Sequence, residues 1–211
     1  VAFGNLNEMR AAMSDKTAAI LVEPIQGEGG INPASTAYLQ SLRDIADEFN
    51  TLLIFDEVQC GMGRSGKLFA YEIANVAPDI MGLAKGIGGG FPVGAVLATE
   101  KAASGMVPGT HGSTYGGNPL AMAAANAVLD VMLEKDFLAS VVKKGTKLKN
   151  DLVSLVEKHS TVLESVRGVG LMLGIKSVGP NLELMAAFRE NKLLTVVAGE
   201  NVVRVLPPLN V

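Results

Sequence analysis

The chain has 211 residues, 48% of them hydrophobic, and a formal net charge of −3. That is enough for one or two domains with a real core, and so weak an acidity gives no electrostatic reason to expect nucleic-acid or anionic-membrane binding. Cys60 is the only cysteine, which excludes an internal disulfide; no apolar run reaches membrane-span length and the first residues lack a signal-peptide layout, so a cytoplasmic protein is expected.

A helical pattern opens the chain at 6–13. Residues 18–22 read as a strand, 26–33 as a loop, and 35–49 as an amphipathic helix with Leu39, Leu42, Ile45, Ala46 and Phe49 at helical spacing. A buried strand is predicted at 51–55, a short helix at 68–73, a short strand at 80–83, and another at 93–98, reached through Gly-Gly-Gly-Phe-Pro. Residues 119–133 form a long alanine-rich helix with Asn118 or Gly117 near its cap and Pro119 in its first turn. Residues 137–159 read as mostly helical and surface-exposed. Beyond 160 the texture changes: strands are predicted at 162–166, 171–175, 193–196 and 202–206, with one helix at 182–191. The alternation predicts an α/β protein whose large domain, 1–135, holds a mostly parallel sheet. Residues 136–211 would supply an interdomain helix and a smaller C-terminal α/β domain.

Lys85 carries the most chemical information. It ends a short apolar run, with Leu83 and Ala84 before it and a glycine-rich turn after it. Poor solvation there would disfavour the ammonium form and make the amine a better nucleophile. Asp56 ends another apolar run 29 residues earlier. A strand-end lysine and a strand-end acid are what pyridoxal phosphate chemistry needs: one forms the Schiff base, the other pairs with the pyridinium nitrogen. Within the same Asp56-Glu57-Val58-Gln59 segment, Gln59 is placed to donate to the phenolic oxygen and Val58 to pack on a ring face. Taken alone, Asp56 reads first as a helix cap or the ion-pair partner of a lysine.

Other segments qualify that reading. Gly61-Met-Gly-Arg-Ser-Gly-Lys67 fits the first seven positions of a phosphate-binding P-loop, but Leu68 follows where a magnesium-binding Ser or Thr is required, and the acidic pair lies on the strand feeding this loop. His111-Gly-Ser113-Thr114-Tyr115-Gly-Gly-Asn118-Pro119 is a hydroxyl- and glycine-rich loop able to donate N–H and O–H groups to a phosphate. Glu23 and Glu28 flank a strand-to-loop transition. Arg204 sits among valines, where it is either outward-facing or paired with a carboxylate. His111, His159 and Cys60 make no metal constellation, and no metal is expected.

Glu-Pro-Ile-Gln-Gly-Glu-Gly-Gly at 23–30, Asp-Glu-Val-Gln at 56–59, Leu-Ala-Lys-Gly at 83–86 and His-Gly-Ser-Thr-Tyr-Gly-Gly-Asn-Pro at 111–119 occur in one order. Together they resemble the class-III (ω-amino) aminotransferases over nearly the whole chain, and segments 167–174 and 193–209 look most like the acetylornithine-type members. The resemblance implies an aspartate-aminotransferase-like α/β fold and pyridoxal 5'-phosphate as cofactor. It implies that Lys85 carries the cofactor and shuttles the proton, with Asp56 at the ring nitrogen and Gln59 at the phenolic oxygen. Arg204 would bind the α-carboxylate of glutamate or 2-oxoglutarate, and Glu28 would pair with Arg204 while the ω-amino substrate is bound. A homodimer with shared sites is implied, Thr114 reaching the phosphate of the neighbouring subunit's cofactor and Ser113 lying near that subunit's substrate.

The expected reaction is transfer of an ω-amino group, from N-acetylornithine to 2-oxoglutarate. Ornithine, succinylornithine and 4-aminobutyrate are alternative donors, and an inactive piece serving only a subunit interface is the alternative from another class. Family members run further on the N-terminal side. A phosphate-holding glycine turn, a ring-stacking aromatic residue and a substrate arginine are therefore expected before Val1, and a closing helix after Val211. Cys60, where the family more often has threonine, and Ser65 are mild variations.

Overall fold

The computed structural model describes residues 1–211. In chain order the first part runs α1 (Leu6–Ala12), β1 (Ala19–Val22), β2 (Ile25–Gln26), β3 (Asn32–Pro33), α2 (Thr36–Glu48), β4 (Leu52–Asp56), α3 (Tyr71–Ala74), β5 (Ile80–Leu83), a 3₁₀ turn (Lys85–Gly88), β6 (Ala95–Ala98) and α4 (Glu100–Ala103). The rest is α5 (Pro119–Met132), α6 (Phe137–Lys158), β7 (Leu163–Val169), β8 (Met172–Ser177), α7 (Asn181–Glu190), β9 (Val196–Ala198) and β10 (Val202–Val205).

Helix α2 forms where its apolar residues recur at helical spacing. The Ser35 side chain accepts the Tyr38 N–H at 3.1 Å and caps it. Its buried stripe of Tyr38, Leu39, Leu42, Ile45 and Ala46 covers Ile20, Val22, Leu53 and Phe55 of the sheet, each such side chain contributing about 1.5–3 kcal/mol. The first sheet has the order β1-β4-β5-β6, with β1, β4 and β5 parallel and β6 antiparallel at the edge. The expected mostly parallel sheet is found, with one antiparallel edge: the Gly88–Gly94 turn brings β6 straight back along β5, too short a connection for a parallel crossover. Because side chains alternate along a strand, Asp56 shares its face with Ile54 and not with buried Phe55. That face is open, Leu21 and Val96 being 68% and 76% exposed on it.

The second sheet is antiparallel throughout, in the order β7-β8-β10-β9. Helix α6 packs on it through Leu152, against Leu163, Leu173 and Ile175. A separate cluster of Ile25, Ile31, Cys60 and Ala70 with Met172 and Val202 joins the loops of the first sheet to the second. The strand expected at 193–196 is displaced to Val196–Ala198. Lys192 turns the chain with φ +69°, and the Leu193 N–H bonds back to the Phe188 carbonyl at 2.9 Å, so Leu193 closes α7 instead of entering the sheet. The short β2–β3 hairpin lies inside the segment read as loop. No helix is long and apolar enough to cross a membrane.

Candidate active site

Parallel β4 and β5 end together, Asp56 opposite Gly82, and ligand sites in such sheets gather at these carboxyl ends. Three residues past Gly82 comes Lys85; three residues past Asp56 comes Gln59. The register of two short apolar strands therefore delivers an amine, a carboxylate and an amide to one edge.

Lys85 starts the 3₁₀ turn in a left-handed conformation, φ +48°, one that a side-chain-bearing residue adopts only when its surroundings impose it. It lines a cleft of about 800 Å³ together with Glu28, Gln59, Met62, Arg64 and Arg204. The poor solvation expected for Lys85 is not found: it is exposed. Gly86, Gly89 and Gly90 line the same cleft beside it.

Asp56 is half-buried, and its Oδ1 accepts the Val58 N–H at 3.0 Å, leaving the second oxygen without a protein donor. It lines a second cavity of about 520 Å³, shared with Glu23 and Gln26, and not the main cleft. Val58, half-buried, serves that turn through its N–H.

Glu57, a cofactor-binding candidate by its place in the 56–59 segment, turns inward. It is fully buried, and its two oxygens accept the Ala70 N–H at 2.6 Å and the Tyr71 N–H at 2.8 Å, at the start of α3. Burial pushes its carboxyl up to about 7; the two backbone donors oppose this and the charge of Glu72 adds to it. Both Glu57 oxygens are thus occupied by backbone donors inside the protein.

Arg204 lies on β10, between β8 and β9, and is only 8% exposed. Its Nη1 donates to Glu28 Oε1 at 2.6 Å and to Gln59 Oε1 at 3.2 Å, its Nη2 donates to the Val197 carbonyl at 3.2 Å, and its Nε is buried with no partner. The arginine is thus inward-facing and paired. Its partner is free to leave: the Glu28 side chain is 75% exposed. Gln59 spends its carbonyl on Arg204, so its amide N–H₂ remains a donor. Gly27 makes this possible, because a Cβ there would land on the Gln59 amide. The Gly27 N–H is itself held by Glu23 Oε2 at 2.9 Å.

The 104–117 segment is exposed throughout. Ser113 Oγ accepts the Gly116 N–H at 2.9 Å, and neither Ser113 nor Thr114 lines this chain's own cleft. Asn118 Oδ1 caps α5 through the Ala121 N–H at 2.9 Å. The P-loop look-alike has no helix to point at a phosphate; α3 begins only at Tyr71. No group of three or more His, Cys, Asp or Glu side chains is arranged to hold a metal.

Sequence reasoning did not find a role for Arg64, which sits inside that look-alike. It reaches the Leu171 carbonyl at 3.3 Å and the Pro207 carbonyl at 2.5 Å, tying the 61–66 turn to the second sheet, and burial lowers its pKa. An arginine embedded in a glycine-rich run is the only signal the sequence offers for it.

A primary amine, a carboxylate with a free oxygen and an amide donor at one strand edge form the donor set that pyridoxal phosphate requires, and the glycines beside Lys85 leave it room. Comparison with known proteins agrees. The model of the Aminotransferase class-III family matches residues 2–211. Acetylornithine aminotransferase 1 of Bradyrhizobium diazoefficiens is 57% identical over 209 residues, 99% of this chain and 52% of that protein. The ornithine delta-aminotransferase of Plasmodium falciparum superposes with a TM-score of 0.93 at 34% identity, covering 100% of this chain and 56% of that one. A PLP-bound amine transaminase from an uncultivated Pseudomonas species does so with a TM-score of 0.89 at 35% identity, covering 98% and 51%. The chain spans about half the length of the curated relatives it matches.

Proposed function

Since this chain belongs to the class-III aminotransferase family, we propose that it serves a pyridoxal-phosphate-dependent transamination in which N-acetylornithine gives its ω-amino group to 2-oxoglutarate. What carries the reading is one cleft that gathers Lys85, Gln59, Glu28 and Arg204. The choice of N-acetylornithine over ornithine rests on the 57% identity to an acetylornithine aminotransferase against 34% to an ornithine enzyme.

Pyridoxal phosphate, when bound, supplies an electron-accepting ring for the pair left behind as a substrate carbon loses its proton. Every other task falls to this chain. The Lys85 amine would hold the cofactor, and its Nζ would carry the proton removed from the substrate carbon. The free oxygen of Asp56 would pair with the ring nitrogen and keep it protonated. The Gln59 amide would donate to the phenolic oxygen, its carbonyl being taken by Arg204.

Arg204 is the anchor for an α-carboxylate. Glu28 lies 2.6 Å from it, and with the ω-amino substrate bound that carboxylate would keep it neutralised. When glutamate arrives, its carboxylate takes the guanidinium and Glu28 swings to water. Little opposes that motion, because the Glu28 side chain is already largely hydrated, whereas leaving Arg204 buried and unpaired is costly. One pocket thereby accepts two substrates of different shape.

The exposed hydroxyl loop supports a homodimer with shared sites: Thr114 and Ser113 have no cleft of their own to serve. We divide the chain near residue 135, with the cofactor side before it and the Arg204 sheet after it, and place the protein in the cytoplasm, where the buried, unpaired Cys60 stays reduced.

Single-turnover half-reactions test the substrate assignment. N-acetylornithine is expected to convert the cofactor faster than ornithine or 4-aminobutyrate, and 2-oxoglutarate to restore it. Faster conversion by either competitor overturns the assignment.

A further inference from the structure

The loop that carries Glu28 is not loose. Its main chain is fastened to the β9–β10 turn by the Gly199 N–H, which donates to the Glu28 carbonyl at 2.7 Å. Gly30 and Gly199 approach so closely that a Cβ on Gly30, itself at φ +120°, would come 2.9 Å from the Gly199 oxygen. A side-chain cluster closes the same seam. Arg167 on β7 donates to the Gly30 carbonyl at 3.3 Å, to Asn32 Oδ1 at 2.6 Å, and to Glu200 Oε2. The Asn32 amide, in turn, donates to the Gly29 carbonyl at 3.1 Å and to Glu200 Oε1 at 3.3 Å. Arg167 holds the Glu200 carboxyl below the usual carboxylate range, foremost through their hydrogen bond.

We propose that Arg167 and Glu200, with Asn32 between them, form a latch that sets the strength of the Glu28–Arg204 pair, and with it the balance between α-carboxylate and ω-amino substrates. This rests on reading Arg204 as the carboxylate anchor. The geometry gives the direction. Arg204 is fixed without the latch, by the ladders of β10 with β8 and β9 and by its bonds to Val197 and Gln59. Glu28 is not: its carboxylate reaches Arg204 only because its main chain is held at the seam. Opening the latch lets the Glu28 loop drift while Arg204 stays. The pair weakens, and Arg204 is free for a substrate carboxylate a larger part of the time. Arg167 and Glu200 are positioning residues, acting through Glu28 and touching no substrate.

Glutarate, a dicarboxylate that cannot react, is the probe, and its binding to the holoprotein is followed by calorimetry. Arg167→Met and Glu200→Gln are each expected to tighten glutarate binding about fivefold, as for loss of one networked ion pair, with Arg167→Lys falling between wild type and Arg167→Met. Single-turnover rates are expected to shift in the same sense, the glutamate half-reaction gaining on the ω-amino half-reaction. Glu28→Ala removes the pair outright, so adding Arg167→Met to it is expected to change nothing further; a merely structural role would add its own effect. The solvent-exposed Glu200→Gln variant guards against a folding defect at Arg167. Unchanged glutarate affinity in both latch variants, or an additive effect on top of Glu28→Ala, overturns the latch. Glutarate binding that survives Arg204→Ala overturns the anchor reading and the latch with it.

Discussion

Glu57→Gln gives the sharpest test of the buried acid beside the site. The carboxyl of Glu57 is raised from 4.5 to about 7, foremost by burial. A group whose folded pKa is raised favours the fold while protonated. Its contribution is fully present below pH 4.5, falls as pH rises toward 7, and is gone above that. The interval corresponds to about 3 kcal/mol. Glutamine does not titrate, but it offers one acceptor where Glu57 serves both Ala70 and Tyr71, so one buried N–H faces an NH₂ group, at a cost of ~1–3 kcal/mol. Wild type is therefore expected to be the more stable form near pH 4.5. Its advantage should shrink by about 3 kcal/mol by pH 8, leaving the two forms nearly equal or the variant ahead. Urea unfolding followed by circular dichroism at a series of pH values measures this difference, and effects of other carboxylates cancel in it. A difference that stays constant from pH 4.5 to 8 refutes the assignment of a buried, raised acid.

Three further outcomes are expected. Gly27→Ala should cost little stability, since the Cβ meets the flexible Gln59 amide and not backbone, yet lower turnover roughly tenfold by displacing a hydrogen bond to a charged group; unchanged turnover counts against Gln59. Asp56→Asn keeps the shape and loses the charge, so cofactor binding should persist while turnover drops by at least about a hundredfold; near-normal turnover removes Asp56 from the chemistry. Mixing Lys85→Ala subunits with Thr114→Ala subunits should recover roughly a quarter of the activity at statistical exchange if sites are shared across a two-fold dimer, and none if each site is self-contained.

The positions of Asp56 and Lys85 were legible because each closes an apolar run, and a run of four or five such residues with a polar terminus reads as a strand ending at a sheet edge. Helices α2 and α5 were legible through spacing and caps, Ser35 and Asn118 among them. The antiparallel pairing of β6 was not, since a strand's own residues do not state which way its neighbour runs. The 193–196 run has the composition of a strand, but the turn at Lys192 that closes α7 is a tertiary outcome. Glu57 looked like its neighbour Asp56; only the fold reveals that 13 and 14 residues later two amides wait for it. Lys85 was expected to be shielded and is exposed, since the apolar residues before it say nothing of what covers its side chain. Arg204 was open between two readings until β10 was seen between two partners.

The central claim is that Lys85 holds the cofactor. Borohydride reduction of the holoprotein fixes pyridoxal phosphate covalently to the lysine that carries it, and peptide mass mapping then locates it. The adduct is expected on the peptide containing Lys85 and absent from the Lys85→Ala variant; an adduct on Lys67, Lys101 or any other lysine of the wild-type protein contradicts the account.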